Sequence, residues 1–448
     1  MRRSLLVTLG ILFTWAGGLW AQDTVEILRW QQDDFVSSPP AMPWWDWDAA
    51  TGDWIGSRTK LQDKGVEIFG GYSYTIQSAI STDGSGGAEG IYSGMLDYGV
   101  QLDLEKLIGW QGASVQTLWL WIHGNAIEES LRDDLLISSD LAGFDTFRML
   151  DLWFQQNLLD DRISLRVGQF TADSEFVRSA YSGVFLNRSL SWPAFLAANL
   201  PGGGPSVPLA TLGVRLAVQP TDSLTLQSAI FQGNVYDQKI NPHGFLWNLN
   251  GDVGFFLINE AQFRWHLSAA DAGLPGQMKA GFWVQTGQSA NPLAATTSSA
   301  TFGGYLVFDQ MLYRETTFEG TKSKASPPGL SPQGLGWFGR IGGAPPESSI
   351  VEFYFDTGLV YTGLIPTRDA DRAGVAFAYG QLSSGASEIP TFRDSYGDGF
   401  QMVLEATYQA QITPWMTIQP NMQFIISPGS KLSHDNAVVL GGSVAIRF

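Results

Sequence analysis

Phe400 to Ile412 reads FQMVLEATYQAQI, and its side chains fall into two rows. Phe400, Met402, Leu404, Ala406, Tyr408, Ala410 and Ile412 form one row; Gln401, Val403, Glu405, Thr407, Gln409 and Gln411 form the other. Successive side chains of a strand point to opposite faces, so this is a strand with one apolar and one polar face. The next stretch repeats the pattern, with Met416, Ile418, Pro420, Met422 and Phe424 against Thr417, Gln419, Asn421 and Gln423. Far upstream, Leu96, Tyr98, Val100, Leu102 and Leu104 oppose Asp97, Gly99, Gln101 and Asp103. In a soluble sandwich the apolar face would meet a second sheet. In an outer-membrane barrel it would meet lipid, and the polar face would line water.

About sixteen such segments of ~8 to 13 residues follow one another, a length that spans a tilted membrane strand. They are expected to begin near Val66, Met95, Ala113, Arg148, Ile163, Ala210, Leu224, Gly254, Met278, Thr301, Gly334, Ile350, Arg372, Phe400, Met416 and Asn436. An even count suits a bacterial barrel with short turns at the periplasmic end and long loops outside. Gaps after even-numbered segments are mostly short and those after odd-numbered ones mostly long, as at Ile76–Gly94, Gly124–Phe147, Thr171–Leu209 and Gly233–Val253. Arg314–Gln333 breaks the alternation by being long, and Gly343–Ser349 by being short. The last segment puts Val438, Leu440, Val444, Ile446 and Phe448 on one face, and a terminal aromatic on such a strand is a mark of outer-membrane assembly.

The composition agrees with a β protein of this kind. Of 448 residues, 15% are charged and 13% aromatic, with 17 Trp and 51 Gly. Soluble globular domains average about 25% charged residues. A chain so rich in aromatics is not disordered, and without Cys it holds neither disulfide nor thiolate metal site. A net charge of −17 argues against nucleic acid as a partner. Residues 1–21 have the layout of an export signal: Arg2 and Arg3, an apolar run from Leu5 to Trp20, then Ala21. Residues 22–50 are rich in Pro and Trp and read as an extended leader. Residues 51–65 are expected to form a short periplasmic helix stopped by Gly65, and residues 66–448 an antiparallel transmembrane β-barrel.

Four stretches resemble the carbohydrate-selective porins of the OprB type. They are GDWIGSRTKLQDKGVEIFGGYSYT (52–75), YSGMLDYGVQLDLEKLIGWQG (92–112), ISLRVGQFTADSEFVRSAYSGVFLNRS (163–189) and DTGLVYTGLIPTRDADRAGVAFAYG (356–380). The last is similar to that family's Gly-Leu-x-Tyr-x-Gly-Leu-Ile-Pro-x-Arg-x-x-Asp run. The resemblance implies a sixteen-stranded porin of the bacterial outer membrane that passes monosaccharides and similar small solutes by passive diffusion. The partners expected are outer-membrane lipid and small carbohydrates, with a homo-oligomer left open. No cofactor is expected, and no catalytic chemistry.

Selectivity in a pore comes from its diameter, its lining charges and its hydrogen-bonding groups. The polar faces offer Asp97, Asp151, Arg166, Glu260, Arg264 and Glu405. The connection Thr171–Leu209 exceeds the ~15 residues beyond which a loop in a compact fold is usually functional. It carries Asp173, Glu175, Arg178, Asn187, Arg188 and Trp192 and reads as an eyelet folded into the pore. Arg178 and Arg188 are the preferred solute donors, because a guanidinium fork donates to two hydroxyls at once. Gly334-Leu-Gly336-Trp-Phe-Gly339 matches a dinucleotide fingerprint in letters only, since no helix pattern follows, and reads as a glycine-rich strand. His123, His243, His266 and His434 lack metal-ligand spacing. The competing readings are a general or other-solute porin, a closed structural or adhesive barrel, and a soluble secreted β protein.

Overall fold

The computed structural model describes residues 43–448 except 82–86, 126–134, 137–138, 140, 142–144, 237–238, 250–252, 268–272, 288–290, 294–299, 316–332, 391–396, 398 and 432–434. The expected export signal and most of the leader lie outside the described residues. Among those described, sixteen strands run in chain order. They are β1 (Val66–Ser81), β2 (Gly87–Asp103), β3 (Ala113–Gly124), β4 (Thr146–Leu158), β5 (Ile163–Phe170), β6 (Thr211–Thr221), β7 (Leu224–Gln232) and β8 (Phe255–Trp265). There follow β9 (Gly276–Gln285), β10 (Thr301–Arg314), β11 (Gly334–Gly343), β12 (Val351–Thr362), β13 (Arg372–Leu382), β14 (Phe400–Thr413), β15 (Met416–Ile426) and β16 (Ala437–Arg447). Each pairs antiparallel with its chain neighbour, and β1 pairs with β16 from Gly71–Arg447 to Ser81–Ala437, closing the sheet. Closure leaves no unpaired edge, which is what lets a sheet stand in lipid.

Every expected strand start lies within two residues of the observed one except that of β2, which begins at Gly87 rather than Met95. Residues 87–94 read GAEGIYSG and have no alternation to see. They are strand because β1 pairs with them, as at Ile76–Tyr92. On β14 the outward row includes Leu404 and the inward row includes Gln401, Val403 and Glu405, the two faces that the alternation sets apart. Aromatic pairs lie near both ends of the outer wall, where outer-membrane barrels carry aromatic girdles. Near one end are Trp110–Phe154 and Tyr313–Tyr361, near the other Tyr74–Tyr92, Trp119–Phe147 and Tyr379–Phe400.

The helix ahead of the barrel, α1 (Ser57–Asp63), is shorter than the expected 51–65. Trp54 and Ile55 take positive φ, which a right-handed helix cannot contain. Asp53 caps it instead, accepting from the backbone N–H and the hydroxyl of Thr59, each at 2.8 Å. Gly65 ends it at φ +91°, where a Cβ would lie 2.7 Å from the Asp103 carbonyl. The segment before α1 is tied to the barrel seam. Ala50 N–H donates to the Arg447 carbonyl at 2.8 Å, and the Trp415 indole donates to the Trp44 carbonyl at 3.1 Å.

The connections after even-numbered strands leave from the same end as α1, and those after odd-numbered strands from the far end. The β10–β11 connection therefore belongs to the α1 end despite its length, because β10 and β11 are where the alternation places them.

Candidate functional site: the lumen loop and its wall

The connection between β5 and β6 does not cap the barrel; it folds into the lumen. Its aromatic side chains Phe176, Phe185, Trp192 and Phe195 are buried in one cluster with inward residues of the wall, Phe231, Phe256, Trp283, Tyr305, Phe338 and Tyr354. Glycines make room for it. A Cβ on Gly336 would sit 2.0 Å from the Tyr181 ring, and one on Gly342 would sit 2.6 Å from that of Phe195. The Gly334–Gly343 run is thus a strand thinned to admit the loop. Within the loop, Gly202, Gly203 and Gly204 all take positive φ, and the Gly203 carbonyl accepts from the Trp192 indole at 2.9 Å.

Polar wall residues hold the loop by its backbone. Glu260 on β8 accepts from the Val177 N–H at 2.9 Å, and Asp309 on β10 from the Ser179 hydroxyl at 2.5 Å. Arg340 on β11 pairs with Asp356 on β12 at 2.6 Å and donates to the carbonyls of Val177, Ser189 and Ser191. Glu405 on β14 accepts from the N–H groups of Leu186 and Asn187, and the Asn187 amide donates to Gln423 on β15 at 3.0 Å. Asn199 accepts from the N–H groups of Ile350 and Val351. Hydrogen bonds to charged groups are worth roughly 1.5–3 kcal/mol each. The loop is a fixed partition, not a floating cap. The loop leaves Glu405 and Gln423 no exposed surface, and Gln401, which accepts from the N–H groups of Leu135 and Gly429, has none either, although their strands read as wetted faces.

On the β4–β8 side a polar cavity opens beneath the loop toward the α1 end. Its lining includes Gln155, Asn157, Arg162, Arg166, Glu175, Arg215 and Arg264. Arg166 on β5 and Arg215 on β6 are paired in register and face inward together. Two like charges directly opposite each other repel, and the loop supplies the remedy. Glu175 takes Arg166 at 2.7 Å through one oxygen and Arg215 at 2.5 Å through the other. The Gln155 amide oxygen accepts from both guanidiniums, at 2.8 Å and 3.1 Å. The Arg166 guanidinium lies 4.1 Å from the Trp153 ring centroid, which fixes its plane.

The twelve residues expected from sequence therefore separate. Arg166, Glu175 and Arg264 line the cavity. Glu260, Glu405, Asn187 and Trp192 build and hold the loop. Asp97 and Asp151 are buried on the inward faces of β2 and β4, Asp151 accepting from Gln116 at 2.9 Å. Asp173 accepts from the Val207 N–H at 2.9 Å, and burial pushes its carboxyl up to about 6. The two preferred donors are occupied by the protein itself. Arg188 donates to the Val207 carbonyl at 2.6 Å. Arg178 is buried among Glu260, Asp309 and Arg340, and desolvation draws its guanidinium well below its ordinary range. Arg215 was not singled out, and its inward place beside Gly213 on β6 was the available signal.

Comparison with known proteins gives a consistent answer. The family model "Carbohydrate-selective porin, OprB family" matches residues 88–448. Porin B of Pseudomonas aeruginosa is 22% identical over 435 residues, covering 89% of this chain and 90% of that protein. A putative porin, QuiX, of Acinetobacter baylyi is 22% identical over 437 residues, covering 89% and 92%. The high-pH structure of Pseudomonas putida OprB superposes with a TM-score of 0.76 at 22% identity, covering 90% of this chain and 99% of that one.

Proposed function

The chain belongs to the OprB family of carbohydrate-selective porins, and from that premise we propose that solutes are selected where Glu175 lies between Arg166 and Arg215. The protein is an outer-membrane sugar porin and not an enzyme. The lumen loop packs against the inner wall, and the cavity it leaves beside β4–β8 is the passage assigned to the solute in this reading. A sugar crossing it exchanges water for hydroxyl contacts. Its hydroxyls exchange for bonds that the guanidiniums of Arg166 and Arg215 otherwise make to Glu175 and Gln155, which line the cavity. The observation that supports this reading is the in-register arginine pair bridged by one loop carboxylate. Two guanidiniums and a carboxylate side by side offer a polyhydroxyl surface donors and an acceptor in one place.

Swelling of liposomes carrying the purified protein tests the proposal, with neutral sugars beside amino acids of equal mass. Sugars should enter faster, and Arg166→Met or Arg215→Met should erase the preference while leaving general permeation. Equal rates in the parent protein would overturn it.

A second reading has one observation in its favour. The cavity wall carries the guanidiniums of Arg162, Arg166, Arg215 and Arg264 against the carboxylates of Asp161 and Glu175. A sugar acid would be favoured there, and faster entry of gluconate than of glucose would select this reading.

A further inference from the structure

We propose that residues 239–249, in the β7–β8 connection, form a lipid-docking strap. The strap folds down outside the barrel and sets a row of apolar side chains against the acyl chains at the outer-leaflet boundary.

The reason begins in β4. Between Arg148 and Asp151 the pairing with β3 slips by one residue, so that Leu118 faces Asp151 and Trp119 faces Met149. The bulge keeps both Arg148 and Asp151 inward, and beyond Leu152 the backbone groups on the β5 side of β4 have no ladder partner, because that pairing ends at Leu152–Gln169. On a lipid-facing wall such groups must be satisfied by protein. The β7–β8 connection does this. The Met149 N–H donates to the His243 carbonyl at 3.1 Å, and the Thr146 hydroxyl donates to the Pro242 carbonyl at 2.8 Å. The Gln169 amide on β5 donates to the Met149 carbonyl at 2.9 Å, and its oxygen takes the Trp247 indole N–H at 2.6 Å. A Cβ on Gly244 would lie 2.4 Å from the Met149 carbonyl, so the contact is closed.

Gln169 pairs with Leu152, and Leu152 is on the lipid face. The strap therefore lies on the outer surface, at the far end from α1. Its outward side presents Ile240, Phe245, Leu246, Trp247 and Leu249, all exposed, with Leu249 at 66%.

What covers that side is indicated by what it joins. Phe245 meets Trp119 edge-on at 5.6 Å, Trp119 stacks on Phe147, and Phe147 on Tyr98. The strap thus continues the aromatic row that already faces the membrane. A Trp with its N–H satisfied and its ring outward suits the boundary between headgroups and acyl chains.

The chain has no cysteine, so Leu249→Cys accepts a single nitroxide label. The labelled full chain is placed in phosphatidylethanolamine–phosphatidylglycerol vesicles. Collision with oxygen, which enters lipid, is compared with collision with a water-soluble nickel chelate. Labels at Leu152→Cys and Asp160→Cys give the lipid and aqueous references. The expected result is oxygen access several-fold above nickel access, as at Leu152, with sugar entry unchanged. Nickel access equal to that at Asp160 would overturn the proposal in favour of a water-exposed loop. Protection from both reagents with spin–spin broadening would overturn it in favour of contact with a second copy.

Discussion

Glu405 on β14 receives the backbone N–H of Asn187 at 3.0 Å, although the two residues are 218 positions apart in the chain. Its other oxygen takes the neighbouring N–H of Leu186 at 2.7 Å. One carboxylate thus holds two consecutive amides of the lumen loop, an arrangement that a neutral amide cannot copy. Glu405→Gln sets an NH2 group against one of those N–H groups. It should cost about 2 kcal/mol and loosen the loop tip. Single-channel recordings in planar bilayers should show more current noise at unchanged mean conductance. Noise equal to that of the parent protein would mean that the tip is held by its apolar packing alone.

Glu175→Gln removes the charge between Arg166 and Arg215. Two guanidiniums in register then face the lumen without their shared carboxylate. Anion selectivity should rise several-fold, read as a shift of the reversal potential in a potassium chloride gradient. An unchanged reversal potential would place the ion path away from this pair.

The Arg340–Asp356 pair is wholly buried. Arg340→Met strands the Asp356 carboxylate and three loop carbonyls, and breaking a buried pair costs about 3–5 kcal/mol. The barrel should lose its compact gel mobility in dodecyl sulfate at a clearly lower temperature. The double change Arg340→Met with Asp356→Leu should recover part of that loss, since neither charge of the pair is then left without the other. A single variant as heat-resistant as the parent would refute this assignment.

Most of the barrel was legible because its physics is local. Lipid outside and a polar lumen inside impose period 2, and β14 and β15 show it residue by residue. The loop from Thr171 to Leu209 was visible by its length and mixed charge. What escaped was whatever depends on register or on distant partners. The sequence places Arg166 and Arg215 on separate strands, and only pairing sets them side by side. Arg178 looks like a free donor until Glu260 and Asp309, from strands far along the chain, close around it. The β7–β8 connection reads as an ordinary outer loop, because nothing local says that its apolar side chains turn down over β4.

Asp173 makes the loop sensitive to pH. Burial raises its carboxyl from the ordinary value of 3.8 to about 6. The folded protein therefore holds this proton more tightly than the unfolded chain. The stabilisation is complete below about pH 4 and is lost as pH rises through about 6. Between pH 7.5 and 5 the heat resistance of the parent should gain a component that Asp173→Asn lacks. Equal pH profiles for the two proteins would remove Asp173 as its source.

The seam between β1 and β16 also sets an order of events in time. The first strand to be made waits for the last, and the Ala50–Arg447 contact waits with it. Until β16 arrives, both flanks of the growing sheet stay open to any passing strand, and the most distant pairing in the chain comes last. Delivery to the membrane must therefore include a stage in which a nearly complete sheet is kept from its neighbours, and shielding counts most in the interval just before closure.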